Sequence, residues 1–218
     1  MIPGEIKNLP KDSVISVIGA GGKTTCVHFL AESYRRKGYK VLVTTSTHML
    51  EEEGTKTGTE EILAALKEGY AFAGTPVEKN GLRKIRTLPK EVLSACIRSA
   101  DITLIEADGA AGKSFKAPKE TEPVIPPETT QIVLIAGMKS AGLSISEACY
   151  NPEAVCAALG RRPEDILTPE LMAEVYRKTY LRRLSEECPG IPVWTAAGQD
   201  TDGIFAEYGR QFEKIMKE

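Results

Sequence analysis

The stretch VISVIGAGGKTTCVHFL, residues 14 to 30, sets an apolar run directly against Gly19, Gly21 and Gly22, then places Lys23, Thr24 and Thr25 where a helical pattern begins. Such a turn is either a tight strand-to-helix connection or a phosphate cradle. A cradle needs glycines so that backbone N–H groups can wrap a phosphate chain without Cβ clashes. It also needs a lysine to reach the terminal phosphates and a hydroxyl to hold Mg²⁺. The helix that follows adds the positive end of its dipole. Gly22-Lys23-Thr24 follows a strand and opens a helix, the context the cradle requires, so Gly19, Ala20, Gly21, Gly22, Lys23, Thr24 and Thr25 are the candidate phosphate-binding residues.

The usual first glycine of a P-loop, five before Gly22, is Val17 here, which makes the loop a shortened form. G-x-x-G-K-T-T loops of this kind occur in Mur-ligase-type ATP-binding domains. The signature-lysine form of SIMIBI-class NTPases would want a lysine where Ile18 stands.

Elsewhere the pattern alternates strands with helices. Apolar strands are expected at 14–18, 40–45, 101–107, 131–137 and 191–196, and helices at 23–37, 59–68, 89–98, 151–187 and 202–217. Gly38 suits the left-handed residue that closes the first helix, and Thr168-Pro169 suits an N-cap and first turn. YAFAG and LRKIRTL flank Asn80-Gly81, the strongest short hairpin signal, so residues 70 to 87 read as an antiparallel edge or insertion. The expectation is a P-loop NTPase-like α/β domain over residues 1–218, with a mostly parallel sheet flanked by helices and the helical segment 151–187 as an appendage.

Mg²⁺ at a P-loop needs carboxylate help from a neighbouring strand. ITLIEADG, residues 102 to 109, ends in Glu106 and Asp108, which alternation would put on one side of the extended chain. Open α/β sheets bind ligands at that end of their strands. Both are candidates for the metal shell and for orienting an attacking water, with Lys23 as the catalytic cation. VTTSTHM, 43 to 49, offers Thr44, Thr45 or Thr47 to the metal shell, Thr45 being the chosen candidate, and His48 as a weaker base. The non-periodic loop after Asp108 carries Lys113 and Lys116 within reach of phosphate charge. G-protein-like domains read guanine with N-K-x-D after a late strand. Here Ala197-Gly198-Gln199-Asp200 keeps only Asp200, so ATP is expected to bind at least as well as GTP.

Composition narrows the class. Hydrophobic content of 42% and charged content of 27% are ordinary for a soluble protein, and a net charge of -2 argues against nucleic acid or an anionic membrane surface. No apolar run approaches the ~20 residues that span a bilayer. MIPGEIKNLPKD lacks an apolar signal core, so secretion is not expected. Five cysteines without C-x-x-C spacing read as reduced thiols in a cytoplasmic protein, with Cys26 a core residue.

GAGGKTT, VTTSTHM and especially EADGAAGKSFKAPKETEPVIP, residues 106 to 126, make the chain resemble the YqeC family of selenium-dependent hydroxylase accessory proteins. The resemblance runs in order over most of the chain and is dense to about residue 142. It implies a nucleotide-binding accessory protein in the maturation of molybdenum hydroxylases carrying labile selenium, with such a hydroxylase or its cofactor-maturation proteins as partner. Three activities fit: a Mg²⁺-dependent NTPase, a small-molecule kinase or ligase-like phosphotransferase, or a non-hydrolysing docking switch.

Overall fold

The computed structural model describes residues 4–198 and 203–218. In chain order the elements are β1 (Ser13–Ala20), α1 (Lys23–Arg35), β2 (Val41–Thr45), β3 (His48–Leu50), α2 (Thr59–Lys67), β4 (Tyr70–Phe72), β5 (Thr75–Lys79), β6 (Leu82–Arg86), α3 (Lys90–Ile97), β7 (Ile102–Glu106) and β8 (Gln131–Ala136). After these come α4 (Ile145–Ala148), α5 (Pro152–Leu159), α6 (Pro169–Tyr176), a π-helical turn (Arg177–Leu181), α7 (Arg182–Glu187), β9 (Val193–Ala197) and α8 (Ile204–Lys217).

Six strands form one sheet in the order β4-β2-β7-β1-β8-β9, and each neighbouring pair is parallel. A parallel sheet with helices on both faces needs strands that are apolar on both sides, which is why β1, β2 and β7 are buried at every residue. On one face Ile15, Val17 and Leu104 meet Val27, Leu30 and Ala31 of α1. On the other, Val14, Ile18, Ile105 and Leu134 pack with Tyr176, Tyr180 and Phe212, while Leu42 packs with Ile62, Leu66 and Leu93 of α2 and α3.

Two expectations need correction. The segment Tyr70–Phe72 is no hairpin arm: it joins β2 in the main sheet, with Val41 opposite Tyr70, and Ala73 N–H extends that ladder to the Val43 carbonyl. The hairpin proper is β5–β6, closed by Asn80 and Gly81 at φ 56° and 70°, and β3 adds to it to make a separate three-stranded antiparallel sheet. Both central residues having φ > 0 is what a two-residue hairpin loop demands.

Nor is the segment 151–187 an appendage. Val155, Met172, Tyr176, Tyr180 and Leu184 are buried in the core against the sheet, and the Tyr176 hydroxyl donates to the Ile135 carbonyl at 2.8 Å. Thr168 caps α6 by accepting from Leu171 N–H at 3.3 Å.

Candidate phosphate site

Gly19 and Gly21 shape the loop. Gly19 has φ 90°, and a Cβ there would lie 2.2 Å from the Ile135 carbonyl oxygen. Gly21, at φ 74°, would put one 2.5 Å from the Gly137 Cα and 2.6 Å from the Ser114 carbonyl oxygen. No side chain fits either place, so the chain can pass between β8 and the loop after β7 only with glycine. Gly22, at φ 103°, then starts α1, whose first N–H groups point outward.

A cavity of about 240 Å³ opens there, lined by Gly21, Gly22, Lys23, Thr24 and Thr25 on the loop side. Glu106, Ala110, Gly112 and Lys113 line it from the end of β7. Thr24 Oγ1 donates to Glu106 Oε2 at 2.8 Å. Lys23 is 6% exposed yet its ammonium makes no hydrogen bond or ion pair with the described residues. Burial pushes the Glu106 carboxyl above the ordinary range, while the Lys23 charge and the Thr24 hydroxyl pull against that shift. Lys113 reaches across the cavity wall and donates to the Glu147 carbonyl at 2.8 Å. Gly19 and Ala20 lie within β1, behind the cavity rather than on it.

Asp108 is placed differently from the expectation. β7 ends at Glu106, so strand alternation no longer governs residue 108, and its fully buried carboxylate turns beneath the loop. Oδ2 accepts from Gly19 N–H at 3.0 Å and from the Tyr180 hydroxyl, and Oδ1 accepts from Lys116 Nζ at 2.6 Å. Burial still drives its pKa upward, against the pull of Lys116 and Tyr180. With both oxygens committed, Asp108 is neither a wall of the cavity nor a free ligand. Lys116 is likewise withdrawn from phosphate: fully buried, it also donates to the Gly109 carbonyl at 2.6 Å and Glu122 Oε2 at 2.8 Å. Thr45 is absent from the cavity wall too. Its hydroxyl donates to the Glu106 carbonyl at 2.7 Å and accepts from Thr47 N–H at 3.0 Å, which fixes the backbone carrying Glu106. The base-reading candidate Asp200 lies outside the described residues.

Sequence reasoning missed Tyr180 and Glu122, which complete the buried network. Tyr180 sits in the π-helical turn, where helices often carry functional side chains. Tyr180→Phe should therefore cost about 1.5–3 kcal/mol, the range for a hydrogen bond to a charged group. Urea unfolding reads it directly, and an unchanged midpoint would mean that the hydroxyl contributes nothing to Asp108. Cys26, beside the loop, is buried, and its thiol is pushed up to about 12, which leaves it inert.

Sheet order, glycine turn and lysine–threonine start of α1 define an α/β protein of the P-loop kind. The chain belongs to the YqeC family, whose model, described as YqeC protein, matches residues 15–153. It is 32% identical over 147 residues to the uncharacterized protein YqeC of Escherichia coli (strain K12), an alignment that covers 62% of this chain. The same alignment covers 56% of the relative, so the chain matches little more than half of that protein's length. Among solved structures, HypB from Helicobacter pylori in complex with nickel aligns over 94% of this chain and 85% of its own, at 13% identity and a TM-score of 0.31. Among the described residues no helix is long and apolar enough to cross a membrane.

Proposed function

We propose that the protein binds a Mg²⁺–nucleoside triphosphate, ATP or GTP, on the Gly21–Thr25 loop and hydrolyses it, working in the cytoplasm as an accessory factor in maturation of selenium-dependent molybdenum hydroxylases. The observation that carries the nucleotide reading is the Thr24–Glu106 hydrogen bond of 2.8 Å on the wall of the cavity that Lys23 also lines. A hydroxyl and a carboxylate are the hard oxygen donors Mg²⁺ prefers, and an ammonium on the same cavity wall offers its charge to a phosphate. Bound there, Mg²⁺–nucleotide would supply the phosphoryl group and a further positive charge. The chain's own part is positional. The loop's N–H groups and the start of α1 hold phosphate oxygens, Lys23 neutralises charge at the terminal phosphates, and Thr24 with Glu106 orients the ion. The accessory role rests on family membership and on the partner class the family resemblance implies.

A second reading, a nucleotide-dependent docking switch with little turnover, is favoured by one feature of the wall. Among the described residues Glu106 is the one carboxylate lining the cavity and it is already bonded to Thr24, while Asp108 is tied to Lys116 and Tyr180. No second carboxylate among the described residues lines the cavity to activate water.

Nucleotide titrations with and without Mg²⁺ test the proposal. Glu106→Gln should erase most of the Mg²⁺-dependent gain in affinity, about tenfold or 1.4 kcal/mol, and leave metal-free binding intact. Equal effects with and without metal would remove Glu106 from the metal shell. Phosphate release by the wild-type chain separates hydrolysis from the switch, and a chain that binds neither nucleotide at millimolar concentration would refute both.

A further inference from the structure

The three-stranded antiparallel sheet plays no part in the phosphate site, and its two faces are unlike. Register sets Met49 opposite Ile85, and both are buried against the main sheet. The alternate positions must then point outward. His48 pairs with Arg86 and Leu50 with Lys84, and across the hairpin Lys79 pairs with Leu82. Leu50 and Leu82 are 58% and 50% exposed, which places two of the chain's largest exposed apolar side chains on this one small face. Lys79, Lys84 and Arg86 make no ion pair or hydrogen bond with the described residues, and none of the outward positions carries a carboxylate. Their field is felt locally: burial first and then these three cations hold the His48 imidazole below its ordinary range. In a chain of net charge -2, this is a concentrated positive patch.

Next to it lies a pocket of about 390 Å³ whose wall is largely apolar, with Leu88, Leu93, Val124, Ile125, Pro126 and Pro127 beside Lys90 and a Glu128 carboxylate that accepts from the Ser94 hydroxyl at 2.7 Å. Ser46 and Thr87, the residues that lead into β3 and out of β6, complete its wall nearest the sheet. We infer that the outward face of β3-β6-β5 and this pocket together form a docking surface for an acidic protein partner, one that presents aspartates or glutamates around a single apolar or aromatic anchor. The cations match the carboxylates, the exposed leucines match the anchor's surroundings, and a pocket of this size accepts one buried side chain, which is how small interfaces concentrate their affinity. Nucleic acid fits less well, because among the outward positions only the His48 imidazole offers a ring on which a base could stack, with no second ring to continue a run. Strand addition fits less well too, since the outer strand β5 carries Pro76, which has no N–H to give, and ends on Lys79. Strands of three, five and five residues make a face of at most roughly 10 by 17 Å, so the contact is small and transient.

The inference does not depend on the nucleotide reading. It is tested by panning a random dodecapeptide library on the intact chain without nucleotide. The enriched peptides should carry net negative charge around a leucine, phenylalanine or tryptophan. Fluorescence anisotropy should then show about a tenfold or greater loss of affinity for the double variant Lys84→Glu, Arg86→Glu, and a comparable loss for Val124→Asp in the pocket wall. These side chains are unpaired or exposed, so melting temperatures should hold. If the double variant melts low, Lys79→Glu alone asks the same question. No enrichment, enrichment of neutral or basic peptides, or binding indifferent to both kinds of substitution would overturn the inference. So would a single-stranded oligonucleotide or a phosphatidylserine vesicle that binds more tightly than the selected peptides and is lost on the same charge reversal.

Discussion

Lys23→Ala should abolish the rise in melting temperature that Mg²⁺–nucleotide gives the wild-type chain. A ligand at a hundredfold excess over its Kd stabilises by about 2.7 kcal/mol, which for a domain of this size is roughly 5–11 °C. The variant should show none of it, because the loop's one buried, unpaired cation is gone. Its melting temperature without ligand should stay near the wild-type value, since the Lys23 ammonium makes no hydrogen bond or ion pair with the described residues. That second reading separates lost binding from lost folding. A retained ligand shift in Lys23→Ala would remove the phosphate site from Gly21–Thr25.

Lys116→Met should destabilise the chain by about 3–5 kcal/mol, the cost of leaving buried charge without its partner. Asp108 would lose the 2.6 Å contact and Glu122 the 2.8 Å contact at once. Urea unfolding measures the loss, and pH tests its cause. Burial raises the Asp108 pKa in the folded state, so without the lysine the folded chain holds its proton more tightly than the unfolded one. The variant's deficit should then be full above the carboxylate range and shrink as pH falls through it. Adding Asp108→Asn to Lys116→Met should recover part of the loss at neutral pH. A deficit that is flat with pH and unmoved by the second substitution would assign the effect to packing instead.

The main sheet was legible because its strands are apolar on both faces and stop at glycine or charge. Helix α1 was legible because its buried positions, Cys26, Val27, Leu30, Ala31 and Tyr34, keep one face. Tyr70–Phe72 misled because a three-residue strand is too short to show a period, and the Asn80-Gly81 signal beside it claimed the segment for a hairpin. Within the site, the loop and Glu106 could be read from local pattern alone. Asp108 could not, since its role depends on where β7 stops and on Tyr180, 72 residues later in the chain. Between residues 106 and 126 the pattern offers Glu106 and Asp108 to a metal shell and Lys113 and Lys116 to phosphate charge. In the folded chain Lys116 instead bonds Asp108 and Glu122 at once, contacts that form only after the loop folds under Gly19.

The two tyrosines of the helix that follows Thr168 have a consequence for the thermodynamics of binding. Tyr176 donates to Ile135, the β8 residue opposite Gly19, and Tyr180 donates to the carboxylate that holds the Gly19 N–H. The first glycine of the loop is thus pinned from two sides by one rigid element. Ordering a flexible loop costs about 1–2 kcal/mol per residue. Here Gly19 is ordered when the chain folds, so a nucleotide bound at the loop beyond it would not meet that part of the cost again.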